Sequence, residues 1–511
     1  MKLLSISPSF HDLNISFFDG HKTHYLKTER ILQIKHHGDT TLLNKSINSI
    51  TNKLDFSYTI DIVEKFLKID MSDIDAICVD TSYAHTNNID YDIRNDKLYH
   101  KYDDKIYIVD HHYLHALSLR ALSDVDYDVE IVIDGRGGDY AWSVFKNNQK
   151  IDSAIVHDSG SIGHGISLLG TQMNMTGHIL DLAGKIMGLQ SYGNIDEELM
   201  KTLYDYDINS VGAIAYLNRH LGVKYGMFDI SKVHNKLNAI HTIHERAGEL
   251  VIELFAKHAN INDNVSYSGG VAQNVIWNTK LKSKYKNLNI LPHISDEGLS
   301  LGGLEFLREQ FNLPKFDFSE FPFMQHDEAP DEISDKTIDE VAQLLADGKV
   351  VAWYQGHGEI GPRALGNRSV LMDPRIENGR DIVNSIKNRE YYRPFGASVL
   401  VEYAKEYFDL DYENPYMLYV GVTQKDNLKA ITHVDGTCRA QTVKSGSFRK
   451  LLERFHAKTG CPVLLNTSLN ISGKPIAAHI KDAMYEFENS KIDVLVVGDT
   501  VYNKSFLSYN K

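Results

Sequence analysis

The chain opens with hydrophobic and polar residues that alternate at the period of a β-strand. Residues 2–7 predict one strand, 8–14 predict a turn, and 15–18 predict a second strand. A similar unit recurs at 130–146, where the strand EIVID, the turn GRGGD and the strand YAWSVF follow one another. Two such units favour an internal duplication, and two unrelated hairpins are the alternative.

Further along, helical spacing alternates with short apolar runs. A strand at 106–109 leads into HHYLHALSLRAL, which has the periodicity of a helix. A long helix is predicted over 242–258, followed by the strand VSYS, a glycine pair and another helix. Residues 311–336 lack periodicity and predict a linker. The elements predicted beyond the linker are a helix at 337–347 and strands at 350–354, 462–465 and 493–497.

Composition narrows the class of protein. A chain of 511 residues is too long for one ordinary hydrophobic core, so two or three domains are expected. The first ten residues lack the apolar run and cleavage site of a signal peptide. No apolar stretch of about 18 residues predicts a membrane span, and the three cysteines form no CxxC pair. We therefore expect a cytoplasmic protein with no membrane partner.

The net charge of −14 bears on whether nucleic acid is a partner. Broad nonspecific binding needs a basic surface, so the charge disfavours it, although a local basic groove stays compatible. A homodimer is also compatible with this sequence.

Histidine spacing gives the first chemical signal. His111 and His115 are four residues apart at the start of a predicted helix, so both imidazoles lie on one face. Asp134 ends a strand, and Asp296 precedes a glycine-rich helix start. Two His and two Asp suit a divalent metal such as iron, manganese or zinc. Because the chain holds 24 histidines, a chance pair is the alternative.

Two glycine-rich segments are candidates for nucleotide contact. Gly269 and Gly270 follow a strand and precede a predicted helix, where backbone amides favour phosphate; packing alone is the alternative. The run at 356–361 matches GxGxxG, but Pro362 and the sequence RALGNRS follow it instead of a helix start. A dinucleotide site is therefore disfavoured there.

Basic residues beside Gly, Pro or Asn are the main signal of the second domain. In an acidic protein this set predicts an anion pocket, because Arg forks suit phosphate and Lys supplies a point charge. Solvated surface positions are the alternative. Asn466 to Ser468 follow the predicted strand PVLL, where ligands often bind. The basic set is Arg363, Arg368, Lys387, Arg389, Arg393 and Arg439.

Ten segments together resemble the NodU/CmcH carbamoyltransferase family, in family order along almost the whole chain. They include SFHDLNISFFDG, HHYLHA, VIDGRGG, GKIMGLQSYG, SGGVAQNVIWN, SDEGLSLGG, QGHGEIGPRALGNRSVLMDPR, NREYYRPFGASVL, HVDGTCRAQTV and PVLLNTSLNISGKPI. The resemblance implies an α/β protein. It places an actin-like (ASKHA) domain similar to the threonylcarbamoyltransferases at 1–325. A YrdC-like α/β domain is expected at 336–511.

The resemblance also implies the chemistry. The second domain would join carbamoyl phosphate and ATP, with Mg²⁺, into carbamoyl adenylate and release pyrophosphate. The first would transfer the carbamoyl group to an acceptor hydroxyl and release AMP, near an iron ion bound by two His and two Asp.

Residue roles follow from the matching positions. His111, His115, Asp134 and Asp296 match the metal ligands, and His11 matches the position near the acceptor hydroxyl, where it would act as the base. Lys387 and Arg393 are expected to take part in catalysis. The binding positions are Arg363, Arg439, Asn466 and Ser468 for the donor pocket, with Arg368 left open beside Arg363, and Gly269, Gly270 and Asn274 for the nucleotide loop.

Three departures leave the acceptor open: Ala183 where an acidic residue is common, Gln190-Ser191 in place of Ala-Pro, and Tyr391-Tyr392 in place of Pro-Phe. The acceptor would be a sugar or natural-product hydroxyl, or a hydroxymethyl pyrimidine in a nucleotide or DNA. Threonylcarbamoyl transfer to tRNA and a non-catalytic ATP-binding scaffold are the competing functions.

Overall fold

The structure is a computed structural model that describes residues 1–9, 11–38, 57–80, 98–101, 104–156, 161–204 and 234–504. The chain divides into two compact units. The first comprises Met1–Glu29 and His36–Ser319, and the second comprises Arg30–Lys35 and Glu320–Lys511. The boundary at Ser319 and Glu320 lies inside the segment that lacked periodicity. The grouping of Arg30–Lys35 with the second unit had no counterpart in a linear division of the sequence.

The first unit is built on two mixed sheets. Its strands are β1 (Leu3–Ser7), β2 (Asn14–Phe18), β3 (Thr23–Lys27), β4 (Ala76–Asp80), β5 (Tyr99–Lys101), β6 (Ile106–Val109), β7 (Val129–Gly137), β8 (Tyr140–Lys146), β9 (Gln149–Ile155), β10 (Val265–Ser268) and β11 (Leu288–Asn289). The orders are β3-β2-β1-β4-β6-β5 and β11-β10-β7-β8-β9.

The two sheets repeat one plan. In each, the first three strands form antiparallel pairs, the fourth lies parallel to the first, and the next central strand lies parallel to the fourth. Only β5, paired antiparallel at one edge, departs from the repeat. The predicted internal duplication is thus confirmed, and with it the actin-like plan of the first unit.

Helices surround these sheets. They are α1 (Thr28–Leu32), α2 (Ser57–Ile62), α3 (His111–Ala121), α4 (Ile162–Gln172), α5 (Ile179–Leu189), α6 (Glu197–Leu203), α7 (Lys236–His258), α8 (Val275–Lys284) and α9 (Leu299–Gln310). The residues of α1 from Arg30 onwards belong to the second unit. The predicted helix at 242–258 begins earlier, at Lys236, because Asn235 caps it by accepting from the Asn238 amide.

Close packing between α3 and α9 positions the histidines. Nearly the whole of α3 is buried. A Cβ at Gly302 of α9 would lie 2.1 Å from the Leu114 carbonyl oxygen of α3. Glycine in SDEGLSLGG therefore lets the two helices approach, and this brings the turn before α9 next to the first turn of α3.

The second unit is an α/β layer around one mixed sheet of order β15-β16-β14-β17-β13-β12-β18-β19. Its strands are β12 (Val351–Tyr354), β13 (Arg368–Met372), β14 (Gly396–Leu400), β15 (Gly421–Val422), β16 (Thr437–Val443), β17 (Val463–Ser468), β18 (Val494–Val497) and β19 (Thr500–Asn503). Its helices are α10 (Asp335–Ala346), α11 (Gly379–Lys387), α12 (Ala404–Phe408), α13 (Gly446–Thr459) and α14 (Ile480–Glu488).

One detail of this sheet corrects the sequence reading. Residues 466–468 do not follow the strand PVLL; β17 continues through them, and Asn466 pairs with Leu371 and Gly396 on the neighbouring strands. The strand was predicted to end at 465 because three polar residues follow the apolar run, but Asn466 and Thr467 are buried within the sheet. Within the described residues, no helix is long and apolar enough to cross a membrane.

A buried ion pair in the second unit gives a test of the fold. Arg368 is fully buried and stacks on Tyr354, and its guanidinium donates to Asp327 at 3.0 Å and to the Gln355 carbonyl at 2.6 Å. Arg368→Met would leave the buried Asp327 carboxylate without its arginine partner, so we expect the free energy of unfolding in urea to fall by about 3–5 kcal/mol. Arg454→Met is the control, because its pair with Asp339 is exposed, and should change stability by less than about 0.5 kcal/mol. Equal losses in both variants would contradict this assignment.

Candidate active sites in the two units

The first candidate site is a buried cluster in the first unit. One ligand atom from each of His111, His115, Asp134 and Asp296 lies within 4.8 Å of the others, and all four residues are buried. The His111 Nε2 atom is 3.6 Å from an oxygen of each aspartate, and the His115 Nε2 atom is 3.7 Å from Asp296. The structure therefore brings together all four residues that the sequence singled out as metal ligands.

Local structure explains each position. Asp110 caps α3 by accepting from the Tyr113 amide, so the helix begins at His111. The pairing of β7 with β8 is irregular between Ile133 and Gly137. Such a bulge re-aims a side chain, and here it affects Asp134. Asp296 lies in the short 3₁₀ turn that precedes α9.

The cluster favours positive charge. Burial alone would lower the pKa of His111, but Asp296 and Asp134 outweigh it and raise that pKa well above its ordinary value. Burial would raise the pKa of Asp296, yet His111 and His115 hold it well below its ordinary value. Two buried carboxylates so close together need a cation between or beside them.

The donor set fits a divalent metal. Among the described residues, neither ring nitrogen of His115 has a hydrogen-bond partner, although the side chain is fully buried. Ligands about 2.0–2.2 Å from a shared ion lie roughly 3–4 Å from one another, close to the separations seen here. Two imidazoles and two carboxylates suit iron, manganese or zinc.

The glycine pair adjoins this cluster, although not as the sequence suggested. A 3₁₀ turn (Gly270–Gln273) follows the pair, and α8 starts only at Val275, so no helix begins at the glycines. Gly269 has φ +90°, and a Cβ there would lie 2.3 Å from the Ile133 carbonyl oxygen. The Gly270 amide donates to Asp134 at 2.9 Å. The loop is thus held directly against a candidate metal ligand.

Asn274 has a structural task. Its side chain caps α8 by accepting from the Ile276 and Trp277 amides and donates to the His244 ring. A direct nucleotide contact from this side chain stays a prediction.

His11 lies beside the cluster. Its Nδ1 atom is 2.7 Å from Asp12, and its Nε2 atom is 3.8 Å from Asp296. Burial opposes a charged ring, but the hydrogen bond to Asp12 and the charges of Asp296, Asp12 and Asp134 raise the pKa of His11 to about 9. The base candidate therefore has one ring nitrogen held by a carboxylate and the other directed towards the cluster.

Three further residues at this site escaped sequence reasoning. They are Lys27, Asp12 and Glu297: the buried Lys27 side chain contacts the carboxylates of Asp12 and Glu297 through its Nζ atom. The available signals were indirect: Asp12 adjoins His11, Glu297 adjoins Asp296, and strand alternation places Lys27 on the same face as Tyr25. None of these patterns identifies a partner across the chain.

The second candidate site lies in the second unit and is cationic. Lys387 ends α11, and its Nζ donates to the Ser468 carbonyl at 2.6 Å and to the Asn470 carbonyl at 2.5 Å. Burial, Arg389 and Arg393 hold the pKa of Lys387 well below its ordinary value. Burial and Arg393 lower the pKa of Arg439 to about 10.

Repulsion among the neighbouring lysine and arginine side chains makes this a candidate anion site. Burial, Arg393 and Arg439 also lower the pKa of Arg389, whose guanidinium stacks on Phe395 and donates to a backbone carbonyl. Arg393 has one carboxylate nearby, Glu390 at 3.6 Å. Cationic side chains that lower one another's pKa are stabilised when an anion binds between them.

The other predicted donor-pocket residues divide in two. Asn466 is buried, donates to the Ala364 carbonyl, and its amide oxygen has no hydrogen-bond partner within the described residues. Arg363 is the residue before Ala364 and half-buried. Arg368 belongs to the core, as its contacts with Asp327 and Tyr354 show. The choice left open between the two arginines therefore favours Arg363.

Parts of both units match family models of known proteins. A family model described as "Carbamoyltransferase N-terminus" matches residues 79–304, and one described as "Carbamoyltransferase C-terminus" matches 342–504. Nodulation protein NolO of Bradyrhizobium diazoefficiens is 30% identical over 78% of this chain and 79% of its own length. Nodulation protein NolNO of Sinorhizobium fredii is 32% identical over 78% of this chain and 64% of its own.

A relative with a named reaction is similar over a shorter stretch. The 3'-hydroxymethylcephem-O-carbamoyltransferase of Amycolatopsis lactamdurans is 37% identical over 51% of this chain and 53% of its own length. The chain thus spans about half to four fifths of these relatives. Among solved structures, HypF of T. kodakarensis has a TM-score of 0.33 at 13% identity, over 61% of this chain and 48% of that protein.

The cluster of the first unit makes a direct prediction about metal. His115→Ala removes one of four buried ligands, so purified protein exposed to Fe²⁺ and then dialysed should lose most of its bound metal in elemental analysis. The control is His258→Ala, a histidine outside the cluster that pairs with Asp152, and it should retain the metal. Undiminished metal in His115→Ala would refute the assignment.

Proposed function

Because the chain belongs to the carbamoyltransferase family, we propose that it is an ATP-dependent O-carbamoyltransferase. It moves a carbamoyl group from carbamoyl phosphate to the hydroxyl of an acceptor. The observation that carries the proposal is the gathering of four cations, of which Lys387 is buried and three arginines are half-buried, because each substrate of the first step is a phosphate anion. The arginines are Arg389, Arg393 and Arg439.

The first step makes carbamoyl adenylate in the second unit. Carbamoyl phosphate gives up orthophosphate with the uptake of one water, and the carbamate oxygen attacks the α-phosphorus of ATP, so that pyrophosphate leaves. Arg363, Arg393 and Arg439 bind phosphate oxygens, and Lys387 presents a point charge. The buried Asn466 oxygen is suited to accept from the carbamoyl amide.

Adenylation serves the second step. The adenosine part of the intermediate gives binding energy that positions the carbonyl next to the acceptor. Exclusion of water would protect the intermediate from hydrolysis.

The second step belongs to the first unit. The acceptor oxygen attacks the carbamoyl carbon, the bond to the AMP oxygen breaks, and the neutral form of His11 takes the hydroxyl proton at Nε2. A cation held by Asp134 and Asp296 would favour that neutral form, because the charges of these carboxylates help to raise the pKa of His11. Asp134 and Asp296, with His111 and His115, would hold a divalent cation, iron by resemblance to the family. Such a cation supplies Lewis-acid polarisation and charge neutralisation. The Gly269-Gly270 loop remains the proposed nucleotide loop, with close backbone approach as its contribution, because the Gly269 amide donates to the Ile294 carbonyl and the Gly270 amide to Asp134. Mg²⁺ would accompany ATP.

Two other functions are weaker. Threonylcarbamoyl transfer to tRNA calls for a basic surface, whereas the net charge is −14. A non-catalytic ATP-binding scaffold does not need four buried metal-type ligands or a buried lysine with a lowered pKa. The two relatives named 3'-hydroxymethylcephem-O-carbamoyltransferase favour an acceptor with a hydroxymethyl group.

The experiment that tests the proposal measures AMP release with ATP and carbamoyl phosphate, then screens acceptors by mass spectrometry for the gain of one carbamoyl unit. AMP should form only when carbamoyl phosphate is present. Release of ADP instead, or AMP release that ignores carbamoyl phosphate, would reject the proposal.

Loss of positive charge from the cationic site of the second unit should slow the first step. Lys387→Ala or Arg439→Ala removes charge-assisted bonds worth roughly 1.5–3 kcal/mol each. Pyrophosphate release should therefore fall by about one to two orders of magnitude, while supplied carbamoyl adenylate is still used. Lys444→Ala, whose side chain is exposed, is the control. Normal pyrophosphate formation in both site variants would place the donor pocket elsewhere.

Removal of the base should impair the second step and leave the first step intact. In His11→Asn, pyrophosphate should still form while carbamoyl transfer falls by about 10²–10⁴-fold, the usual contribution of a positioned general base. His21→Asn, an exposed histidine in the next turn, should leave both signals intact. Equal loss of both signals in His11→Asn would show that His11 supports folding instead.

A further inference from the structure

Lys27 is an unusual residue for the interior of a sheet. It ends β3, is 5% exposed, and has three carboxylates around its Nζ: Glu297 at 2.8 Å, Asp12 at 3.0 Å and Glu29 at 3.3 Å. Burial alone would lower the pKa of Lys27, but these carboxylates raise it well above its ordinary value. A buried charge set of this kind is costly for stability, so a task beyond packing is expected.

Asp12 links this lysine to the candidate base. One oxygen of Asp12 contacts the Lys27 Nζ at 3.0 Å, and the other contacts the His11 Nδ1 at 2.7 Å. An ionised carboxylate only accepts hydrogen bonds, so Nδ1 must carry the proton. The unprotonated electron pair of a neutral His11 ring is then on Nε2, the atom directed towards Asp296.

The same strand also fixes the turn that carries Asp296. The Tyr25 hydroxyl donates to the Glu297 carbonyl at 2.7 Å, while Lys27 holds the Glu297 side chain. Asp296 and Glu297 are consecutive in one short turn. Lys27 therefore connects the residue that orients His11 with the turn that contributes a ligand to the cluster.

We propose that Asp12 and Lys27 are positioning residues for His11, which fix its tautomer and its orientation towards the candidate metal cluster. This inference rests on the proposed function, in which His11 accepts the acceptor proton. When the acceptor oxygen bonds to the carbamoyl carbon and the bond to AMP breaks, the proton moves to Nε2, and the resulting imidazolium is stabilised through Nδ1 by Asp12. A carboxylate that orients a histidine in this way acts through the histidine and does not touch the substrate.

The decisive experiment observes the His11 ring directly. Zn²⁺-loaded full-length protein, labelled with ¹⁵N-histidine, should show a low-field Nδ1–H resonance that disappears in His11→Asn. Asp12→Asn, which is isosteric, should remove the same resonance. Lys27→Met should shift it and speed its exchange with solvent. Glu29→Gln is the matched control, because Glu29 contacts Lys27 but not His11, and it should leave the resonance in place.

Function provides a second readout. With 3'-hydroxymethylcephem as the probe acceptor, Asp12→Asn should lower the product formed per AMP by about 10²–10⁴-fold while the acceptor KM is unchanged. Metal content and Tm should stay near those of the unsubstituted chain. A purely structural role would instead change Tm and pyrophosphate release together.

The outcomes are distinct. Persistence of the resonance in folded Asp12→Asn, or its absence from the unsubstituted protein, would overturn the proposal. An unchanged resonance in Lys27→Met would remove Lys27 from it, and if that variant fails to fold, Asp12→Asn decides. The resonance needs no ATP or carbamoyl phosphate, so the expected NMR pattern without carbamoyl phosphate-dependent AMP release would retain the positioning and reject only the proposed function.

Discussion

Two aspartates and two histidines buried within 4.8 Å of one another are the constraint on which the first unit depends. Two carboxylates at this separation are stable only with positive charge beside them. Several irregular features serve that arrangement: the bulge in β7, the start of α3 directly after Asp110, and the glycine approach between α3 and α9. The bulge places Asp134, the start of α3 places both histidines, and the glycine approach places the turn that carries Asp296.

The second unit presents the opposite electrostatics. Lys387, Arg389 and Arg439 all have lowered pKa values, with burial as the largest cause and neighbouring cations as the next. A cation-favouring cluster in one unit and an anion-favouring cluster in the other suit a two-step reaction. The phosphate-rich substrates would be activated in the second unit, and a hydroxyl would be carbamoylated in the first.

The sequence predicted regular elements well and long-range contacts poorly. The hairpin at 2–18, the helix that carries His111 and His115, and the duplication were all predicted, because local periodicity determines them. The continuation of β17 through Ser468 was missed, since three polar residues after an apolar run resemble the end of a strand. Arg363 and Arg368 could not be separated, because only the contact of Arg368 with Asp327 shows that it belongs to the core. Lys27 and Glu297 are 270 residues apart in the chain, and no local pattern reveals such a pair.

The proposed two-step reaction requires the protein to activate the carbamoyl group as an adenylate before any acceptor is involved. The most direct measurement is exchange of labelled pyrophosphate into ATP in the absence of acceptor. We expect exchange that depends on carbamoyl phosphate and that acetyl phosphate does not support, because only carbamoyl adenylate can return ATP from pyrophosphate. Formation of ADP, with no exchange of pyrophosphate, would contradict it.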